Sequence, residues 1–136
     1  CSMPAVVQTP PRLSDGTPFP TFYYATCPRL TGAISTLESS GLMAEMNERL
    51  SNDADLAAAY ASAHKAYLAD RDALGIVVDE VEDISAGGMP DRVKCLHSLV
   101  AHSLSAGTGV NPLGDEALSK LPQWWIENPC DSEMDA

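Results

Sequence analysis

The chain has 136 residues, 45% of them hydrophobic and 20% charged, with 8 Lys and Arg against 19 Asp and Glu and a formal net charge of −11. Such a field repels phosphate backbones and anionic headgroups, which argues against nucleic acid or a bare membrane surface as the main partner. No apolar run approaches the roughly 20 residues of a membrane helix. The balance of hydrophobic and charged residues fits one globular domain.

No secretory leader is present, and the chain begins at Cys1 without an initiator Met, as a processed or shortened product would. The cysteines are Cys1, Cys27, Cys95 and Cys130. They form no C-x-x-C pair and are too sparse for a disulfide scaffold, so a reducing cytoplasm is the expected location.

In chain order, residues 4–8 (PAVVQ) and 21–26 (TFYYAT) are β-branched and aromatic and predict strands. Between them lie four prolines and the turn signal Ser14-Asp15-Gly16. Folding back at Asp15 pairs the strands antiparallel and carries Cys1 towards Cys27. A helix is predicted from Pro28, with Leu30, Ile34 and Leu37 on one face and Gly41 as its stop. A short helix follows over 42–51. A longer one over about 53–74 is capped by Asn52 or Asp53. Residues 76–84 (IVVDEVEDI) read as a short strand or an acidic loop. Pro90 is expected to open a central helix ending near Gly107, and NPLGDEALSKL a last short one. The expected fold is therefore α+β and mainly helical, an N-terminal β-hairpin packed on a bundle of about five helices. The domain is expected over 1–125 (hairpin 1–27, helical part 28–125), with an acidic, partly disordered tail over 126–136.

On a helix running from Pro90, each residue turns by about 100 degrees. Val93, Leu96, Val100 and Leu104 then share one face with Leu99 beside them, while Lys94, Ser98, Ala101 and Ser105 lie opposite. Cys95 and His97 fall on opposite flanks, so Cys-x-His is not expected to chelate one ion. Cys95 and His102 share a direction but stand roughly 10 Å apart along the axis. A metal at Cys95 needs ligands from elsewhere, and Cys1 and Cys27 are the candidates if the hairpin packs nearby. Three thiolates plus a histidine or water suit zinc, and three cysteines can hold part of an iron–sulfur cluster. The alternative makes Cys27 and Cys95 small buried hydrophobes.

Two features point to an anionic ligand. Gly87 and Gly88 free the backbone ahead of the helix start, although no phosphate-loop pattern is present. On the third helix Tyr60, His64, Tyr67 and Arg71 recur at i, i+4, i+7 and i+11, within about 60 degrees of one another. An Arg, a His and two phenols can bind a carboxylate or phosphate, with Arg12 and Arg92 joining them. The alternative is a packed helix edge with Arg71 paired and His64 satisfied in the core. No G-x-S-x-G occurs and no residue is assigned a catalytic role.

The blocks RLSDGTPFPTFYYATCP, LESSGLMAEM, AHKAYLADRD, GGMPDRVKCLHSLVAH and GVNPLGDEAL resemble the actinobacterial family known as domain of unknown function 501, from about Val6 to Leu118. The resemblance implies a bacterial cytoplasmic protein without an assigned activity, its members starting further upstream. Gene neighbourhoods of the family suggest cell division or phosphate metabolism, by association alone. The leading expectation is a non-catalytic protein that binds a small anionic ligand or regulates a partner. The alternatives are a cysteine-ligated metal protein, structural or hydrolytic, and a scaffold for a protein partner.

Overall fold

The computed structural model describes residues 4–126. Strands β1 (Val6–Gln8) and β2 (Tyr23–Ala25) pair antiparallel, Val7 opposite Tyr24. The loop folds back where Ser-Asp-Gly predicts. Asp15 Oδ1 accepts from Thr17 N at 2.9 Å, Gly16 takes φ +92°, and Arg12 bridges Pro18. Five helices follow: α1 (Pro28–Glu38), α2 (Leu42–Asn52), α3 (Ala54–Asp72), α4 (Leu96–Ala106) and α5 (Pro112–Ser119). The architecture is α+β and mainly helical, as the pattern predicts. The ambiguous 76–84 stretch resolves as a loop with a single 3-10 turn at Asp79–Val81. Among the described residues, no helix is long and apolar enough to cross a membrane.

Local chemistry explains most boundaries. Pro28 occupies the first turn of α1, where a missing N–H costs nothing. Asp53 caps α3 by accepting from Leu56 N at 3.0 Å. Asn111 caps α5 by accepting from Gly114 N at 2.9 Å.

One boundary departs from expectation. Pro90 does not open α4, which starts at Leu96; residues 86–91 run as a bend and turns with a cis Met89–Pro90 bond, and 92–95 as irregular backbone. Partners outside the segment hold it open. Asn47 of α2 accepts from Val93 N at 2.7 Å and donates to Val93 O at 3.1 Å, and Tyr60 of α3 donates to Arg92 O at 2.9 Å. Those backbone groups are thereby taken from any helical ladder. The facing of α4 differs too. Leu104 is 37% exposed, whereas Ala101, assigned to the polar side, is fully buried with Leu96, Leu99, Val100 and His102. This helix is covered by α5, β2 and α1 rather than along one stripe.

The core gathers Phe22, Leu30, Ile34, Met46, Leu113 and Ala117 around α4. α5 lies close against α4 because Gly114 has no side chain; a Cβ there would collide with Leu99 O and Ser103 Oγ. Gly32 of α1 is the opposite case, exposed with nothing within 4 Å of an added Cβ. Gly114→Ala should therefore cost about 1–3 kcal/mol of stability by overpacking, while Gly32→Ala should add about 0.5–1 kcal/mol from helix propensity. Urea unfolding of the two variants checks both signs.

Candidate functional site

The α3 stripe predicted to meet a ligand is directed at the protein's own backbone. Tyr67 is buried, and its hydroxyl oxygen accepts from Phe22 N at 2.6 Å and Tyr23 N at 3.1 Å. Arg71 is 2% exposed and donates to Pro20 O at 2.8 Å, Ile84 O at 2.6 Å and Val81 O at 2.6 Å. Tyr60 is buried and holds Arg92 O, as above. Arg12 lies at the hairpin loop, donating to Gly16 O and pairing with Glu80 at 3.2 Å, both side chains well exposed. These four side chains position backbone and leave little donor capacity for a ligand.

The other predicted residues gather at one cleft. His64 Nδ1 lies 2.7 Å from Ser85 Oγ. Ser85 lines a cleft of about 360 Å³ together with Thr21, Gly87, Gly88, Arg92 and Lys94. Gly87 and Gly88 take φ +69° and +92°, and Gly88 O accepts from Asp91 N and Arg92 N. A Cβ on Gly88 would stand 2.6 Å from Arg92 O, so the turn requires glycine there. Among the described residues, the N–H groups of Gly87 and Gly88 have no acceptor, and the exposed Arg92 and Lys94 make no ion pair. Asp91 lies on the same cleft and tempers their field. Burial lowers the pKa of His64, partly offset by Asp91 and Asp83, so this ring is neutral at physiological pH. Ser85 is 1% exposed, so the His64–Ser85 pair forms a wall of the cleft and not an exposed nucleophile.

Lys94 and Ser85 escape a sequence reading. Lys94 fell on the polar back of a helix assumed to start at Pro90, and Ser85 ends an acidic stretch without periodicity. Their meeting depends on the turns that Asn47 and Tyr60 hold.

Cys1 lies outside the described residues. Cys27 is buried at the start of α1, and Cys95 is half-buried just before α4. The expected incompatibility of Cys95 and His97 is overturned. Cys95 is extended (φ −152°, ψ 115°), so helical rotation does not separate the pair. Ligand atoms of Cys95, His97 and Glu38 of α1 all lie within 4.8 Å of one another. Cys27 is not in that group. Cys95, His97 and Ser98 form one wall of a cleft of about 800 Å³ whose other side carries Phe19, Tyr23 and Tyr24.

A second buried polar cluster is structural. Asn111 Oδ1 accepts from Gly114 N, which leaves Nδ2 to donate to His102 Nδ1 at 3.2 Å and to Met89 Sδ at 3.5 Å. His102 packs against the Tyr23 and Tyr67 rings. With Nδ1 accepting, protonation would set two donors against each other, and burial lowers the His102 pKa further.

A family model described as a protein of unknown function (DUF501) matches residues 1–119. No curated protein and no solved structure matches the chain.

Two outcomes follow from this geometry. Arg71→Ala strands one buried and two partly buried carbonyls and should destabilise the fold by about 3 kcal/mol, read by urea unfolding. His64 and His102 have folded-state pKa values below 6.5, so the unfolded chain binds more protons as pH falls through and below that value. Their contribution is present above 6.5 and lost below it. Between about pH 7.5 and pH 5.5 the wild type should lose more stability than His102→Gln.

Proposed function

The chain belongs to this family of proteins of unknown function (DUF501), and we propose that it binds a small anionic ligand of the phosphate class, without catalysis, at the cleft between Ser85 and Lys94. The observation that carries this reading is the pair of exposed, unpaired cations, Arg92 and Lys94, on the cleft that Gly87 and Gly88 line. In a chain of net charge −11, two cations without acidic partners form a local exception to the field. Backbone N–H groups freed by consecutive left-handed glycines give an anion donors that need no side-chain ordering. Arg92 supplies a planar donor fork and Lys94 a mobile point charge, a combination suited to phosphate oxygens.

Four of the eight anticipated ligand residues fit this reading: Gly87, Gly88 and Arg92 on the cleft, and His64 behind Ser85. Tyr60, Tyr67 and Arg71 support it from beneath by holding Arg92, the hairpin and the 81–84 loop. A neutral His64 adds no charge, so affinity rests on Arg92 and Lys94 and weakens with salt.

Thermal melting with inorganic phosphate or pyrophosphate, against chloride at matched ionic strength, tests the reading. At ten times its dissociation constant the ligand should add about 1.4 kcal/mol, several degrees in a chain of this size. The double variant Arg92→Ala, Lys94→Ala should melt normally without ligand and lose the shift. If wild-type melting is indifferent to both anions, the reading fails.

A further inference from the structure

We infer that Glu38, Cys95 and His97 form a three-ligand site for a zinc-class divalent cation, its fourth position opening into the aromatic cleft. The site is separate from the anion cleft and shares no ligand with it.

The donor set is assembled by the packing of α1 on α4. Glu38 is the last residue of α1, Cys95 immediately precedes α4, and His97 lies in its first turn. Glu38 is already fixed there, since Oε2 accepts from Leu96 N at 2.9 Å. Its other oxygen, Oε1, stands 3.3 Å from His97 Nδ1. His97 Nε2 lies 3.3 Å from Thr31 O and 3.4 Å from Ser35 Oγ, so it donates to the carbonyl in one tautomer and accepts from the hydroxyl in the other. In the second tautomer Nδ1–H donates to Glu38. In the first, the Nδ1 lone pair and the carboxylate oxygen face each other as two acceptors, and a bound cation selects that tautomer. A backbone carbonyl accepting from the far ring nitrogen is the usual outer partner of a metal-bound histidine.

Cys95 completes the set. Its sulfur accepts a weak bond from Ser98 Oγ at 3.9 Å, and it lines the cleft beside His97. Bonds of 2.0–2.3 Å to a tetrahedral ion place ligand atoms roughly 3.3–3.8 Å apart. The three donors lie within 4.8 Å of one another, so small side-chain rotations close the shell. One thiolate, one imidazole and one carboxylate favour zinc or a metal of similar softness over magnesium or calcium, which prefer oxygen alone. The three residues are each half-buried, and the side chains of His97 and Glu38 are 29% and 22% exposed, so an ion reaches them without unfolding. Three protein ligands leave one position for water or a ligand, and the cleft of about 800 Å³ between Cys95, His97 and the aromatic wall lies on that side. The overall negative charge draws cations towards it.

The test uses the full chain, freed of tag and metal and kept reduced, titrated with Co²⁺ as a spectroscopic stand-in for Zn²⁺. One equivalent should produce the near-ultraviolet charge-transfer band of a cobalt–thiolate bond together with tetrahedral visible bands, and Zn²⁺ should displace both. Cys95→Ser should abolish the charge-transfer band. His97→Ala should weaken Co²⁺ binding by at least about tenfold. Glu38→Gln keeps an oxygen for Leu96 N–H, so it should fold while binding more weakly; circular dichroism confirms the fold of each variant. Cys27→Ser should leave the band unchanged. Absence of a cobalt–thiolate band in the wild type overturns the inference, and so does a band that survives Cys95→Ser. A phosphate-dependent melting shift in Cys95→Ser shows that the two sites stand or fall separately.

Discussion

Arg71 satisfies three backbone carbonyls from two separate loops, and the rest of the architecture depends on it. Pro20 O belongs to the hairpin, Val81 O and Ile84 O to the acidic loop that follows α3. Neither segment has a hydrogen-bonded ladder at these positions. A buried carbonyl without a donor is costly, so one guanidinium that supplies three bonds specifies where both loops pack. Tyr67, one turn earlier, does the complementary task by accepting from two N–H groups at the start of β2. Tyr60, two turns earlier still, holds Arg92 O. The stripe is a row of polar anchors by which one helix organises three irregular segments.

The irregular stretch between Ser85 and His97 is the consequence. It is fixed from behind by Asn47 and Tyr60 and from its far end by Glu38, which serves the first free N–H of α4 in place of a residue from its own helix. Irregular backbone held this firmly can present unusual chemistry, because its N–H groups and side chains are not committed to a helix. Both candidate sites are built on it. The near part offers glycine N–H groups, Arg92 and Lys94 to an anion. The far part offers Cys95 and His97 to a cation, with Glu38 arriving from α1.

The charge distribution fits this division. Three cations are paired or structurally employed: Arg49 forks onto Glu116 at 2.8 and 2.6 Å, Arg12 reaches Glu80, and Arg71 serves carbonyls. Among the described residues Lys65, Arg92, Lys94 and Lys120 make no ion pair, and of these Arg92 and Lys94 share one cleft. Both are exposed and so reach the cleft without desolvation.

Periodicity and punctuation determined the hairpin, its turn at Asp15, the number and order of the helices and the inward face of α3, because each is a local property of neighbouring residues. The family was legible too, from blocks spread along most of the chain. The start of α4 was not. Pro90 carries a genuine helix-start signal, and it is overridden by Asn47 and Tyr60, residues more than 30 positions away whose bonds to Arg92 and Val93 no local pattern encodes. That displacement changed the chemistry. On a continuous helix Cys95 and His97 diverge, whereas with Cys95 on extended backbone ahead of the helix and His97 in its first turn they converge on Glu38. The sequence by itself chose the helices and the stripe that anchors them. Tertiary hydrogen bonds decided where the last long helix begins, and therefore which side chains meet.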